Sequence, residues 1–214
     1  MELRTMILDL YVDTSRKGVS MAIASADRYE ESVNPEARGE TLGGTLDDLL
    51  KRMGATLDDV KRVMVTLGPG SFSGLRTGVA FCQGICFSGK RNLYGVTTLQ
   101  ALQQFAGPET ASTAVVIRAR NGYWYMRLDG KEYFIETAEV VEKVKAANIV
   151  KVVADDSAMA DAALQALFAD SHVEVIKDTD QKLQAWAPLF DTVKPSLIQE
   201  ANYIQPSYFE KLSK

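Results

Sequence analysis

The spacing of apolar residues predicts both strands and helices along the first half of the chain. Apolar runs separated by Gly18 are typical of a hairpin, and from residue 40 the apolar positions change to helical spacing until Gly54. The predicted elements are strands at 6–12, 19–24 and 28–33, a helix at 40–53, a strand at 61–67, a helix at 74–88, a strand at 91–96 and a helix ending at 106.

The second half repeats this order in coarse form. It predicts strands at 114–119, 123–128 and 132–135, a helix at 137–146, a strand at 149–154, a helix at 157–168, a strand at 173–176, and helices at 181–190 and 196–203. Three strands, a helix, a strand and a helix therefore occur twice, which favours an α/β fold of two lobes. Gly107-Pro108 breaks the chain between the halves. We place the lobes at 1–107 and 108–214, with the last helix as a candidate for packing back on the first lobe.

Composition narrows the function classes. The chain has 214 residues and a net charge of −4, without a long run of like charges. Such a chain is a poor nucleic-acid binder by itself, because neutralising phosphates requires clustered Lys and Arg. Two cysteines, Cys82 and Cys86, lie four apart in a predicted helix and are interpreted as apolar core residues. Without a disulfide framework, the protein is expected in a reducing compartment. With His172 as the single histidine, no metal site is predicted.

The apolar runs indicate where in the cell the protein is expected. No run reaches the ~18 apolar residues that a membrane helix needs. The apolar run near the N-terminus ends in Asp13 without a small-residue cleavage site, so it indicates a buried strand and not a signal peptide. We expect a cytoplasmic protein without a membrane segment.

A glycine-rich turn at 68–76 precedes the second helix. Free backbone N–H groups at a helix start can hold an anion, but the lysine of a phosphate-binding P-loop is absent. The favoured interpretation is a tight crossover that glycines allow. Within the helix, Gly78 and Gly84 alternate with bulky Phe81, Ile85 and Phe87, which predicts a close-packed surface, either internal or to another subunit.

Several motifs in a fixed order resemble the TsaB (YeaZ) family. They are MILDLYVDTS at 6–15, LGPGSFSGLRTGVAFCQGICFSG at 67–89, GVTTL at 95–99, RARNGYWY at 118–125 and PSY at 206–208. The resemblance is specific over about residues 6–128 and loose between 131 and 201. It implies an actin-like or Hsp70-like ATPase fold, with ribonuclease H-like lobes of which the second is reduced.

The resemblance also implies where sites lie. A vestigial nucleotide site would include Asp13, Thr14, Ser15, Gly70 and Ser71. Many relatives have Asp where this chain has Arg118, and a guanidinium there repels Mg²⁺, which argues against ATP hydrolysis. No catalytic or metal-ligating residue is predicted. Family dimers use the first helix, and the predicted partner interface comprises Glu40, Leu46, Arg76, Gly78, Phe81, Cys82 and Ile85. The first-helix motif departs from the family at 38–44.

The implied function is that of a non-catalytic partner of TsaD, which transfers threonylcarbamoyl to the adenosine beside the anticodon of ANN-decoding tRNAs. Implied partners are a TsaD-like protein, a TsaE-like ATPase and tRNA through the complex, and a second copy as homodimer. No cofactor is expected, although a nucleotide at a subunit interface stays open. The alternatives are a small ATP-dependent phosphotransferase of the same fold and a peptidase. The peptidase is disfavoured because the one histidine is far in sequence from Ser71 and Ser73.

Overall fold

The structure, a computed structural model, describes residues 6–120 and 122–204. Its first sheet has five strands: β1 (Leu8–Asp13), β2 (Val19–Ala24), β3 (Tyr29–Asn34), β4 (Val60–Thr66) and β5 (Asn92–Val96). Their order is β3-β2-β1-β4-β5, with β1 to β3 antiparallel and β4 and β5 parallel to β1. Two helices, α1 (Leu42–Met53) and α2 (Phe72–Cys86), supply the crossovers between β3, β4 and β5.

The first core lies between this sheet and its two helices. Alternate residues of β1, Leu8, Leu10 and Val12, are fully buried against α1 and α2. Alternate residues of a strand share one face, and residues three or four apart share one face of a helix, so the two apolar faces can pack together. Gly54 ends α1 in the left-handed region, at φ 66°, where glycine carries no Cβ penalty.

The second sheet repeats the topology of the first. A short helix, α3 (Thr98–Gln103), precedes its strands β6 (Thr113–Arg120), β7 (Tyr123–Leu128) and β8 (Lys131–Glu136), and α4 (Thr137–Ala146) leads on to β9 (Lys151–Ala154) and β10 (Glu174–Lys177). The order β8-β7-β6-β9-β10 corresponds strand for strand to the first sheet. The duplicated α/β architecture predicted from the sequence is therefore confirmed. The second sheet is shorter on one side: β9 and β10 have four residues each, against seven in β4 and five in β5, their counterparts.

The chain forms two compact units. The first comprises Met1–Thr98 together with Lys182–Asn202, and the second comprises Leu99–Gln181 together with the residues from Tyr203 onwards. The second unit thus begins at the start of α3, whereas the sequence placed the lobe boundary after this helix at residue 107. The reason is that Leu99 and Leu102 are buried in a cluster with Val115 and Tyr125.

Three predicted helices differ in the structure. The helix predicted at 157–168 is split into α5 (Asp156–Ala160) and α6 (Ala162–Asp170). Asp161 is extended there, and its side chain caps α6 by accepting from the Ala163 and Leu164 amides. The predicted 181–190 helix is a 3-10 turn, Leu183–Trp186, and a short helix α7 (Leu189–Thr192), separated around Pro188.

The helix predicted at 196–203 is wrong. These residues have no regular secondary structure, and their backbone bonds to the first sheet instead of along a helix. The hairpin turn Asp129-Gly130 is confirmed, with both residues at positive φ. Asn121 of the other predicted turn and the motif Pro206-Ser207-Tyr208 lie outside the described residues. Across 6–120 and 122–204, no helix has the length and apolarity to cross a membrane.

The buried thiols of α2 generate the first prediction. Burial raises the pKa of Cys86 to about 11, with Arg91 opposing the shift, and burial raises the pKa of Cys82 well above its usual value. Since the thiolate is the reactive form, we expect a disulfide reagent at pH 7.5 to label neither thiol until the protein is unfolded in guanidinium.

The same shift predicts a pH dependence of stability. Because the folded state keeps the Cys86 proton longer than the unfolded state does, its contribution is present below pH 9.0 and is lost as the pH rises towards about 11. Denaturant titrations should show the free energy of unfolding falling across this window, and falling less steeply in Cys86→Ala. Labelling of the folded protein within minutes, or an identical pH slope in the variant, would contradict the burial.

Candidate functional site

The candidate site begins where β1 ends. Asp13 is 4% exposed, and its Oδ1 accepts three hydrogen bonds, from the Ser15 amide at 2.8 Å, the Ser15 hydroxyl at 2.6 Å and the Thr66 hydroxyl at 2.8 Å. Arg16 Nε lies 3.6 Å from Oδ2. The carboxylate thus ties the β1–β2 turn to the end of β4. Its Oδ1 is occupied by donors of the protein itself.

The glycine-rich loop lies directly on this turn. The Ser71 amide donates to the Ser15 carbonyl at 2.6 Å, and the Ser71 hydroxyl caps α2 by accepting from the Gly74 amide at 3.3 Å. A Cβ at Gly70 would overlap the Ser15 backbone, and one at Gly74 would overlap the Thr14 carbonyl. The five residues predicted as a vestigial nucleotide site are therefore brought together, but as one packed structure.

Gly78 extends the contact by one helical turn. A Cβ there would overlap the Thr14 side chain, whose hydroxyl is buried and has no hydrogen-bond partner among the described residues. The turn after β1 and the first two turns of α2 therefore approach each other at a separation that only glycine permits. The interpretation of these glycines as a tight crossover fits this geometry, since the space in which a phosphate would contact both segments is occupied by backbone.

An open groove of about 760 Å³ lies beside this contact. Its walls are the β1–β2 turn, residues 35–40 and the first turns of α2. Lys17 and Glu36 form an exposed ion pair across it at 2.6 Å, and Gly39 lies against Thr77 of α2. Three cations and two carboxylates line the groove, namely Arg16, Lys17, Arg38, Glu36 and Glu40. Mixed charge of this kind suits a polar segment better than a polyphosphate with its metal ion.

The second unit has its carboxylate on a different strand. Arg118 occupies β6, as the sequence indicates, and its guanidinium lies 5.9 Å from the centroid of the Trp124 ring. Asp155 follows β9, and its Oδ2 accepts from the Arg118 amide at 2.8 Å while Oδ1 accepts from the Ala158 amide and caps α5. The sequence reasoning missed Asp155. Its signal was an Asp directly after a buried parallel strand and before a helix.

The other candidates for chemistry have structural roles or are isolated. His172 is exposed at the turn after α6, with φ 52°. Ser71, one of the two serines considered for a peptidase, is the helix cap of α2. In the part of the chain that the structure describes, no group of three or more His, Cys, Asp or Glu could hold a metal ion.

The predicted interface residues divide by burial. Glu40 and Arg76 are exposed, and Phe81 and Ile85 are half-buried against the first core. Leu46, Gly78 and Cys82 are buried inside the first unit. Leu46 and Cys82 belong to the first core, and Gly78 lies against Thr14. A change at these three residues could therefore affect a partner only through the positions of α1 and α2. The interface itself stays a prediction.

The exposed face of α2 consists of residues at helical spacing that this prediction only partly included. It comprises Phe72, Arg76, Ala80, Gly84 and Phe87, with Phe72 59% and Phe87 79% exposed. We call this the α2 face. Phe72 and Ala80 were missed, although counting by four in either direction from exposed Arg76 reaches both. Gly84, like Gly43 and Gly44 of α1, has open space where a side chain would be.

The sequence also matches known proteins. A sequence model of the family described as "TsaD: tRNA N6-adenosine threonylcarbamoyltransferase" matches residues 33–182. The chain belongs to this family. It is 29% identical over 142 residues to the tRNA threonylcarbamoyladenosine biosynthesis protein TsaB of Escherichia coli K12, covering 63% of this chain and 62% of that protein. It is 37% identical over 92 residues to a tRNA N6-adenosine threonylcarbamoyltransferase of Desulfovibrio desulfuricans, covering 43% of this chain and 23% of that protein.

The matches span less than two thirds of the length of these curated relatives. Among solved structures, the fold resembles YeaZ from Pseudomonas aeruginosa with a TM-score of 0.64 at 23% identity, covering 95% of this chain and all of that one. A second Pseudomonas aeruginosa protein, described as similar to peptidase YEAZ, gives a TM-score of 0.70 at 23% identity over 94% of this chain and all of that one. The TsaB resemblance seen in the motifs is confirmed.

Asp13 generates a stability prediction. Asp13→Ala removes the acceptor for three buried donors and should lower the free energy of unfolding by about 2 kcal/mol or more. Asp13→Asn keeps an oxygen at the position of Oδ1 and should remain within about 1 kcal/mol of the wild type. Urea titration of both variants checks this. Equal stability of all three proteins would show that the Asp13 bonds contribute nothing.

Two glycines of α2 form a matched pair for a second test. Gly78→Ala forces a methyl into Thr14 and should destabilise the protein by about 1–3 kcal/mol, the usual cost of overpacking. Gly84→Ala adds the same methyl in open space and should be neutral or stabilise by up to about 1 kcal/mol, the helix preference of alanine. Thermal denaturation compares the two. A tolerated Gly78→Ala would refute the close contact between α2 and the β1–β2 turn.

Proposed function

We propose that this chain is a non-catalytic subunit that binds a TsaD-like protein and supports threonylcarbamoyl transfer to the adenosine beside the anticodon of ANN-decoding tRNAs. The observation that carries the proposal is the packed turn of Asp13, Thr14, Ser15, Gly70 and Ser71. This chain keeps the glycine-rich loop that could bind phosphate, but the backbone of Thr14 and Ser15 packs against that loop. Its carboxylate, Asp13, accepts hydrogen bonds from within the protein.

The catalytic apparatus expected of the transferase itself is absent from the sequence. The catalytic relative carries an H-x-x-x-H motif, and this chain has one histidine. Arg118 stands on β6 where a second metal-binding carboxylate is expected, and Asp155 beside it is engaged as a helix cap. We therefore assign no cofactor to the chain, and any nucleotide would bind at a subunit interface.

The proposed partner surface is the α2 face together with the exposed side of α1. A helical glycine costs about 1 kcal/mol relative to alanine, and Gly43, Gly44 and Gly84 gain no internal contact in return. On an outer surface such positions let another backbone approach closely. Phe72 and Phe87 add exposed aromatic area at the two ends of the α2 face, and exposed apolar clusters of this kind are typical of interaction sites.

The remaining partners follow from the resemblance. A second copy of the chain would use the same two helices in an isologous homodimer, in competition with the TsaD-like protein. A TsaE-like ATPase and tRNA would be reached through the complex, and the protein would act in the cytoplasm.

Copurification tests the proposal directly. The chain co-expressed with the TsaD-like protein of its own organism should elute with it as a stable complex, and purified alone it should not hydrolyse ATP above background. ATP turnover that disappears in Asp13→Ala would favour a phosphotransferase. Failure to form the complex would remove the proposed function.

Gly84→Leu tests the partner surface. A leucine on the α2 face should weaken association with the partner by at least about 2 kcal/mol, or roughly 30-fold, while surface placement leaves stability nearly unchanged. Ala166→Leu adds the same side chain to an exposed position of α6 and serves as the control. Calorimetric binding measures both. Wild-type affinity of a folded Gly84→Leu protein would place the contact elsewhere.

A further inference from the structure

The residues that follow α7 lie along the edge of the first sheet. The Ser196 amide donates to the Leu93 carbonyl of β5 at 2.9 Å, and the Asn202 amide donates to the Leu67 carbonyl just after β4 at 2.6 Å. β5 is the last strand on its side of the sheet. The segment Ser196–Asn202 therefore covers a strand edge that would otherwise present unpaired backbone groups.

Three positions in the first unit are shaped to receive this segment. Gln83 of α2 donates through Nε2 to the Gln199 carbonyl at 3.2 Å. Gly95 leaves the space that the Gln199 side chain fills. Gly68, at φ +110°, leaves the space that the Asn202 carbonyl fills. The segment thus contacts a strand, a helix and the glycine-rich loop at once.

An aromatic and ionic anchor holds the chain just upstream. Arg62 of β4 forms two hydrogen bonds with Asp9 at 2.7 and 2.6 Å, and its guanidinium lies 4.3 Å from the centroid of the Phe190 ring. Tyr94 meets the same ring edge-on with centroids 4.9 Å apart. Trp186 is fully buried beside Tyr11. Because Trp186 and Phe190 are held in place, only a short stretch of chain has to be ordered before Ser196–Asn202 can dock.

The far end of the segment bears on the candidate site. Leu67 and Gly68 lead directly into the loop whose Ser71 amide bonds to Ser15, and the Gly68 carbonyl accepts from the Thr98 amide at 2.7 Å. We propose that Ser196–Asn202 acts as a latch. Its docking fixes Leu67–Gly70 and the first turn of α2, so that the α2 face binds a partner only when the latch is closed.

The partner part of this inference rests on the proposed function, whereas the mechanical part does not. Nothing in the first 98 residues replaces the contacts of the latch at Leu67 and Gly68 in the described structure. The loop therefore reaches its final geometry only after the chain has passed through the second unit and returned. The partner would then bind only to a chain in which this segment has already docked.

Hydrogen exchange of the full-length protein tests the mechanical part. Asn202→Pro removes the N–H that bonds to Leu67, and we expect amides of residues 70–75 to exchange at least tenfold faster while those of β2 and β3 keep wild-type rates. Gln83→Ala removes only the bond to Gln199 and should give a smaller change at the same residues. Lys194→Ala, exposed just before the latch, should change nothing.

The outcomes separate the alternatives. Unchanged exchange at residues 70–75 in both variants overturns the latch. If Asn202→Pro accelerates exchange in every strand, it has lost the fold, and Gln83→Ala alone decides. Unchanged exchange at residues 70–75 in Gln83→Ala then also overturns the latch.

Affinity for the TsaD-like protein tests the coupling. Asn202→Pro should bind at least tenfold more weakly than wild type and Lys194→Ala. Faster exchange with unchanged affinity would overturn the coupling. If the wild type itself does not bind, the proposed function fails, and the exchange data still decide whether the latch exists.

Discussion

The structure of the first unit depends on one close contact, between the turn that follows β1 and the start of α2. Thr14 and Ser15 lie against Gly70, Gly74 and Gly78, where any side chain would overlap them. The contact positions α2 over β1 and β4, and Asp13 secures it by binding both Ser15 and Thr66. Close packing of this kind leaves no voids into which one segment could shift. The glycine-rich loop, α2 and the end of β1 are therefore held in fixed positions relative to one another.

This contact supports the proposal that the chain acts without nucleotide chemistry of its own. The loop and the carboxylate are where a phosphate site would need them, but their hydrogen-bonding groups face each other. In the second unit, Asp155 is likewise engaged, by the Arg118 amide and as the cap of α5. The α2 face, by contrast, is exposed and contains small and aromatic residues. Binding another protein is the function that this arrangement supports best.

Much of the fold could be predicted from the sequence because its elements have strong periods. The buried strands and α1, α2 and α4 are amphipathic or continuously apolar, and their local pattern agrees with their final environment. The segment 196–203 could not be predicted this way. Its spacing of Leu197, Ile198 and Ala201 resembles a helix, yet its amides bond to Leu93 and Leu67, partners more than a hundred positions away.

The candidate site shows the same limit. Asp13, Thr14, Ser15, Gly70 and Ser71 lie next to one another in the structure, because the end of β1 and the start of α2 meet at one edge of the parallel pair β1 and β4. Sequence motifs could not show which side of α2 each small residue faces. Gly78 and Gly84 look alike in sequence, but one receives Thr14 and the other faces open space. Only the packing of α2 against its own sheet separates an internal glycine from one available to a partner.

The most direct test of a non-catalytic role is the initial rate of threonylcarbamoyl transfer to tRNA by the TsaD-like protein, measured while either the wild-type chain or its Asp13→Asn variant is titrated in. We expect both forms to raise the rate to the same plateau, with half-saturation following the affinity of the complex. An Asp13→Asn variant that still binds the partner fully but gives no transfer would contradict a non-catalytic role, because Asp13 would then take part in the chemistry.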